Sequence, residues 1–227
     1  IAAIYAAAYG YTLEKIAYRP LRNAPRLSPL ISAIGMSLFL QNYVLLAQTP
    51  DFLPFPALIP DFDFMEPIAH IMGSPELVIL VTSAVSMVAL TVLIKYTRIG
   101  KAMRATQQDM TMARLVGVNV DNVISMTFVI GSVLAAIGGV LVGSYIGQIN
   151  FYIGFMAGVK AFTAAVLGGI GNIPGAVLGA LVLGLTEAYA AGYISSAYED
   201  VFAFGVLVLI LILRPSGLLG KAVKLKV

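Results

Sequence analysis

An all-α, polytopic transmembrane bundle is the fold class this sequence predicts, and three observations carry the prediction. Of the 227 residues, 59% are hydrophobic and only 11% are charged, against roughly 25% charged in a soluble domain. The mean hydropathy is +0.93. The apolar residues fall into runs of span length, separated by proline-rich or basic loops, and a helix suits hydrocarbon because it satisfies its own backbone hydrogen bonds. The same composition excludes several chemistries. With no cysteine there is no disulfide framework, thiolate metal site or cysteine nucleophile. The single histidine, His70, leaves no His-based metal cage and argues against a Ser-His-Asp triad.

Taken in order, the first apolar run is Ile1 to Leu13, which would cover only about 20 Å of a roughly 30 Å hydrocarbon core. With no initial Met and no basic segment ahead of it, it reads as a partial span. The chain is accordingly read as N-terminally truncated, not as a protein with a signal peptide. About six complete spans follow, over 28–47, 76–95, 122–145, 153–168, 174–192 and 199–213, and the whole of 1–227 is read as one transmembrane domain. Proline respects these limits. Pro20, Pro25 and Pro29 lie before or at the start of the first complete span, Pro50, Pro54, Pro56, Pro60, Pro67 and Pro75 fill the next loop, and Pro174 and Pro215 flank later spans. Segments 153–168 and 199–213 are short, near 23 Å each, so they are expected to kink, to start in the interface or to be covered by neighbours.

Charge sets the orientation. Lys15, Arg19, Arg22 and Arg26 share one side with Lys95, Arg98, Lys101, Arg104 and Arg114, and with Arg214, Lys221, Lys224 and Lys226. The loops at 48–75, 146–152 and 193–198 hold no Lys or Arg. By the positive-inside rule the basic loops and the C-terminus are cytoplasmic. Small residues recur every four positions along Ala135, Gly139, Gly143 and Gly147, and along Ala176, Ala180, Gly184, Ala188 and Gly192. Such ridges let helices approach closely in lipid, within the chain or at a subunit interface.

Nucleotide chemistry is not expected. Gly100-Lys101 is followed by Ala102 and lacks the upstream glycine of a phosphate loop, and the glycine-rich turn at 168–175 has Pro174 where a dinucleotide fingerprint needs glycine. No cofactor is predicted for this chain itself. The loop at 48–75 is acidic, with Asp51, Asp61, Asp63 and Glu66, and with Glu76 at its edge. It reads as a connecting loop or as a docking surface for an external partner, with His70 solvated or interfacial.

Two ionisable residues fall inside spans, where burial demands a reason. Lys160 lies about 18 Å before Asn172 at the hairpin tip and Glu187 about 22 Å after it, so they can pair across an antiparallel hairpin. That pair either locks the hairpin or lines a permeation path. Gln41 and Asn42, and more weakly Gln148 and Asn150, are further candidates for a pathway.

The segment 95–122 says most about partners. Lys101 to Val116 has helical periodicity and is expected to form one helix. Ala102, Ala105, Met112, Ala113 and Val116 share one face; Arg104, Gln107, Gln108, Thr111 and Arg114 share the other. Gly117 is placed to end the helix in a left-handed conformation, and Asn119 or Asp121 to cap the next. Such a helix lies on the membrane surface or fits a partner protein; its mild polar face favours the partner.

The stretch from Arg98 to Asp121, with Arg104-Ala105-Thr106-Gln107-Gln108-Asp109 and Ala113-Arg114-Leu115-Val116-Gly117 at its centre, resembles the coupling loop of branched-chain amino acid ABC importer permeases. So do Ala17-Tyr18-Arg19-Pro20-Leu21-Arg22, Lys160 to Leu167 with the Gly168 to Ala176 turn, and Arg214-Pro215-Ser216-Gly217-Leu218-Leu219-Gly220. The resemblance runs in order along essentially the whole chain, and points to the permease without long extensions. It implies an inner-membrane importer with a second permease subunit, two cytoplasmic ATPases that bind the ATP, and a periplasmic binding protein, with no nucleic acid. It further implies aliphatic amino acids as cargo, with urea or short amides in close relatives, and residues 101–117, Asp109 included, as the ATPase contact. A secondary transporter or channel needing no ATPase is the alternative, and an intramembrane enzyme has no candidate set beyond Lys160 and Glu187.

Overall fold

The computed structural model of the chain describes residues 1–22, 24–25, 27–56 and 73–220. Asp61, Asp63, Glu66, His70, Arg26, Lys221, Lys224 and Lys226 lie outside the described residues.

The apolar runs become helices. α1 (Ala2–Leu13) continues through a π-helical turn (Glu14–Tyr18) and a 3-10 turn (Arg19–Leu21). α2 (Leu27–Ala47) leads to a short strand, β1 (Leu53–Pro54), and then α3 (Ser74–Tyr96). Two short helices follow, α4 (Arg98–Gln108) and α5 (Met110–Leu115), before the long α6 (Val120–Ile146) and β2 (Gln148–Ile149). α7 (Ile153–Gly168), α8 (Ile173–Tyr193) and α9 (Glu199–Leu213) complete the described chain. Each of the six complete spans read from the sequence coincides with a helix, its ends displaced by no more than a couple of residues.

Four stretches of the described residues are long and apolar enough to cross a membrane: Ser74–Tyr96, Val120–Ile146, Ile173–Tyr193 and Ser196–Leu213. The last gains length from a 3-10 turn, Ser196–Tyr198, that leads into α9, which answers the shortness of 199–213. Ile31–Ala47 and Ile153–Gly168 are shorter apolar helices.

The chain forms two compact units, Ile1–Ile153 and Gly154–Val227. In the first, α1 lies along α6. Gly10 is buried there, and a methyl group on it would collide with the Ser132 side chain; the Tyr18 ring packs on Phe128 at 4.9 Å between centroids. β1 and β2 pair antiparallel, Leu53 opposite Ile149 and Pro54 opposite Gln148. Thr97, in extended conformation, joins α3 to α4; its hydroxyl donates to Leu93 O at 2.5 Å and accepts from Gly100 N at 3.0 Å.

In the second unit the core sits near the α7–α8 turn. Leu167 has no exposed surface, and Thr163, Ala164 and Leu183 are buried with it. The segment after α9 folds back onto this turn: Leu218 N donates to Leu167 O at 2.9 Å, Leu219 N to Gly168 O at 3.0 Å, and Asn172 Nδ2 to Leu219 O at 2.9 Å. The two backbone bonds satisfy carbonyls that the end of α7 would otherwise leave unpaired.

Among the described residues of each unit, the small-residue ridges are packed only in part. Gly143 is buried by Phe55 and Ile149, but Gly139, Gly184 and Gly192 have open space where a Cβ would sit. On α8 the buried positions are Gly175, Gly179, Leu183 and Ala190 instead, the first three each one position before the ridge residues Ala176, Ala180 and Gly184.

Candidate functional site

The segment 98–121 is two helices, not one. Asp109 adopts φ −157° and ψ 112°, which ends α4, and its carboxylate accepts from Thr111 N (2.7 Å) and Met112 N (3.0 Å) to cap α5. Aspartate stabilises a helix start in this way, so a local cap overrides the unbroken periodicity of 101–116. Gly117 has φ +85°. Val118 N bonds to Ala113 O and Gly117 N to Arg114 O, each at 3.0 Å, the hydrogen-bond pattern of a Schellman ending. Asn119, and not Asp121, caps α6, accepting from Asn122 N at 3.2 Å.

The side chains divide differently from the expected faces. Ala113 is buried, but Met112, Leu115 and Val116 are 61%, 76% and 77% exposed. Gln107, Gln108 and Thr111 are exposed as well. Arg104, expected on the partner face, turns back and donates to Ile94 O and to Lys95 O, capping the end of α3. The result is a short helix with apolar residues unburied at its tip, fixed at both ends by its own capping bonds.

Beside it lies a charge network that joins the segment after α1 to α5 and the first turns of α6. Glu14, in the π-helical turn, is completely buried. It accepts from Ser125 Oγ at 2.6 Å and from Arg22 Nη2. Arg22 Nη1 donates to Asp121 Oδ1, Arg19 Nη2 donates to Asp121 Oδ2 at 2.7 Å, and Arg114 Nη2 of α5 stands 3.9 Å from Asp121 Oδ1. Arg19 and Arg22 belong to a motif picked out in the sequence; Glu14 does not. Its signal was a carboxylate closing an apolar run, one that a cationic motif follows within the same turn of chain.

In the second unit Lys160 Nζ stands 3.2 Å from Glu187 Oε1, 3.3 Å from Glu199 Oε1 and 3.2 Å from Asp200 Oδ1. Only the Glu199 contact has hydrogen-bond alignment; Glu187 Oε1 and Asp200 Oδ1 meet the ammonium as ion-pair contacts. The expected pair is therefore one edge of a group of three carboxylates around one lysine, because the first turn of α9 brings Glu199 and Asp200 to the same place. Gln41 and Asn42 are not among these groups. Each bonds within its own helix, Gln41 Nε2 to Ser37 Oγ at 3.4 Å and Asn42 Nδ2 to Leu38 O at 2.8 Å. Asn150 accepts from Tyr152 N and Ile153 N and so caps α7.

Residues 1–211 match a family described as the permease component of the branched-chain amino acid transport system. The chain belongs to this family. It is 49% identical over 223 residues to the high-affinity branched-chain amino acid transport system permease protein LivH of Escherichia coli, a match covering 97% of this chain and 72% of that protein. The corresponding protein BraD of Pseudomonas aeruginosa is 50% identical over 221 residues, covering 96% of this chain and 72% of BraD. A more distant likeness, 36% identity over 102 residues, joins 42% of this chain to 28% of the autoinducer 2 import system permease protein LsrC of Yersinia enterocolitica. No solved structure matches. The family match takes in α4, α5, the Glu14 network and the Lys160 group, so all of these belong to a transport permease.

Proposed function

We propose that this chain is the permease subunit of an ATP-binding cassette importer in a bacterial inner membrane, carrying branched-chain or other aliphatic amino acids by alternating access. In this reading it binds no ATP itself; two cytoplasmic ATPases do so, a second permease subunit completes the pathway, and a periplasmic binding protein delivers the solute. The likeness to LivH and BraD supports the cargo. The single observation that carries the ATPase contact is α5, a capped helix with Met112, Leu115 and Val116 unburied between two spans. Closure of the ATPases would push on α5, and α3 and α6, joined to it through α4 and the Gly117 turn, would tilt. The open ridge Ala180, Gly184, Ala188 and Gly192 supports the second permease as the neighbour of α8. The alternation of basic and non-basic loops supports a cytoplasmic C-terminus.

Single cysteines at Gln108 and Thr111 test the contact, since the chain has no cysteine of its own. In the assembled transporter they should crosslink to an ATPase subunit, and solute-dependent ATP hydrolysis should peak with aliphatic amino acids across a solute panel. Cysteines that react with lipid-soluble probes but never reach an ATPase would overturn the contact. Uptake by the reconstituted permease without partners would favour a secondary transporter or channel.

A further inference from the structure

Glu14 and its partners have no part in the contact just proposed, yet a side-chain carboxyl group without exposed surface must find its hydrogen-bond partners inside the protein. Its location supplies them. Glu14 follows directly on α1, Asp121 lies in the first turn of α6, and α5 precedes α6 by only a short turn through Gly117. The guanidinium of Arg22 spans the two carboxylates, with one nitrogen on Glu14 and the other on Asp121. Arg19 holds the second oxygen of Asp121 at 2.7 Å, and Arg114 approaches the same carboxylate from α5. Arg19 opens the 3-10 turn Arg19–Leu21 and Arg22 follows it directly, with Pro20 restricting the backbone between them. Ser125, one helical turn along α6 from Asp121, closes the circuit on Glu14 at 2.6 Å.

We propose that Arg22 is a positioning residue of the coupling step: by bridging Glu14 and Asp121 it makes the ends of α1 and α6 follow α5 as one body. The inference rests on reading α5 as the ATPase contact. Its chemical requirement is a fork, because two carboxylates on separate elements are held at fixed spacing only by a planar cation with two donor directions. An ammonium keeps the charge and loses the fork.

Arg22→Lys separates the two roles, since it leaves a cation beside buried Glu14. In the assembled transporter, the expected result is normal assembly and a retained Thr111 cysteine crosslink. Solute transported per ATP hydrolysed should fall at least fivefold. The double variant Glu14→Gln/Arg22→Gln removes the buried carboxyl group together with its partner, and should show the same uncoupling even if Arg22→Lys assembles poorly. If Arg22 only stabilises the fold, both variants lose assembly and activity in proportion, and an unchanged transport-to-ATP ratio overturns the proposal. A parent transporter that couples normally but never crosslinks at Thr111 overturns the ATPase contact instead, and the ratio still judges Arg22.

Discussion

Gly117 and Gly217 both hold positive φ, +85° and +78°, and both end a segment that leaves a helix. Their surroundings have little in common. A Cβ on Gly117 would meet nothing within 4 Å, whereas on Gly217 it would lie 2.7 Å from the backbone of Gly169 and 2.8 Å from Val166 O. The first region, the α5 tip, is organised by side chains: the Asp109 cap, the Arg104 bonds to α3 and the arginines on Asp121. It leaves Leu115 and Val116 uncovered. The second region is closed by backbone on backbone, with Leu218 and Leu219 amides on the last carbonyls of α7 and Leu167 fully buried. A surface that must meet a partner keeps its apolar groups free and its framework at the edges. A joint that must hold α7, α8 and α9 together brings backbone against backbone and leaves no room for a side chain at Gly217.

The sharpest way to break this contrast is one substitution at both glycines. Gly217→Val adds left-handed strain of about 1–2 kcal/mol to an overpacking penalty of about 1–3 kcal/mol, against backbone that cannot rotate aside. We expect a loss near 4 kcal/mol, seen as a strongly lowered unfolding midpoint of the purified permease in detergent. A Gly217→Val protein as stable as the parent would show that the joint is loose.

The Lys160 group offers the next effect in size. One ammonium there faces Glu187, Glu199 and Asp200, so the partners are unequal. Lys160→Met leaves three carboxylates facing one another and is expected to destabilise by about 3 kcal/mol. Glu187→Gln leaves the lysine two acids and should be several-fold milder. Equal losses on thermal unfolding would restore a simple Lys160–Glu187 pair.

Depth arithmetic along an antiparallel hairpin was enough to bring Lys160 to Glu187, as apolar run length was enough to place α3 and α6. What the sequence hid has local causes. Glu199 and Asp200 open a new span, so their proximity to Lys160 depends on how α9 returns to the hairpin, a tertiary fact. The break at Asp109 lies inside a segment whose periodicity continues across it; the signal was present, since aspartate is a favoured N-cap, but the pattern of apolar positions outweighed it. Arg104 was assigned by its face of the helix, and the free carbonyls at the end of α3 claimed it instead. Glu14 carried no assignment in the sequence, because Ser125 and Arg22 meet around it only in the fold.

The smallest effect on stability carries the most information about function. Gly117→Val meets no steric obstacle, so its loss is the left-handed strain alone, about 1–2 kcal/mol. The protein should insert and purify with a slightly lowered midpoint. The strain is relieved by leaving the left-handed region, which breaks the bonds from Val118 N to Ala113 O and from Gly117 N to Arg114 O and swings α5 relative to Asn119 and Asp121. Solute-stimulated ATP hydrolysis and uptake should therefore drop well beyond what the stability loss explains, and Gly117→Ala, with a smaller penalty, should fall between. If α5 is a surface helix held by lipid, its angle is set by the bilayer, and Gly117→Val should change membrane association while ATPase docking and uptake stay at parent levels. Uptake measured in parallel with the unfolding midpoint tells the two apart, because only a coupling helix makes function fall faster than stability.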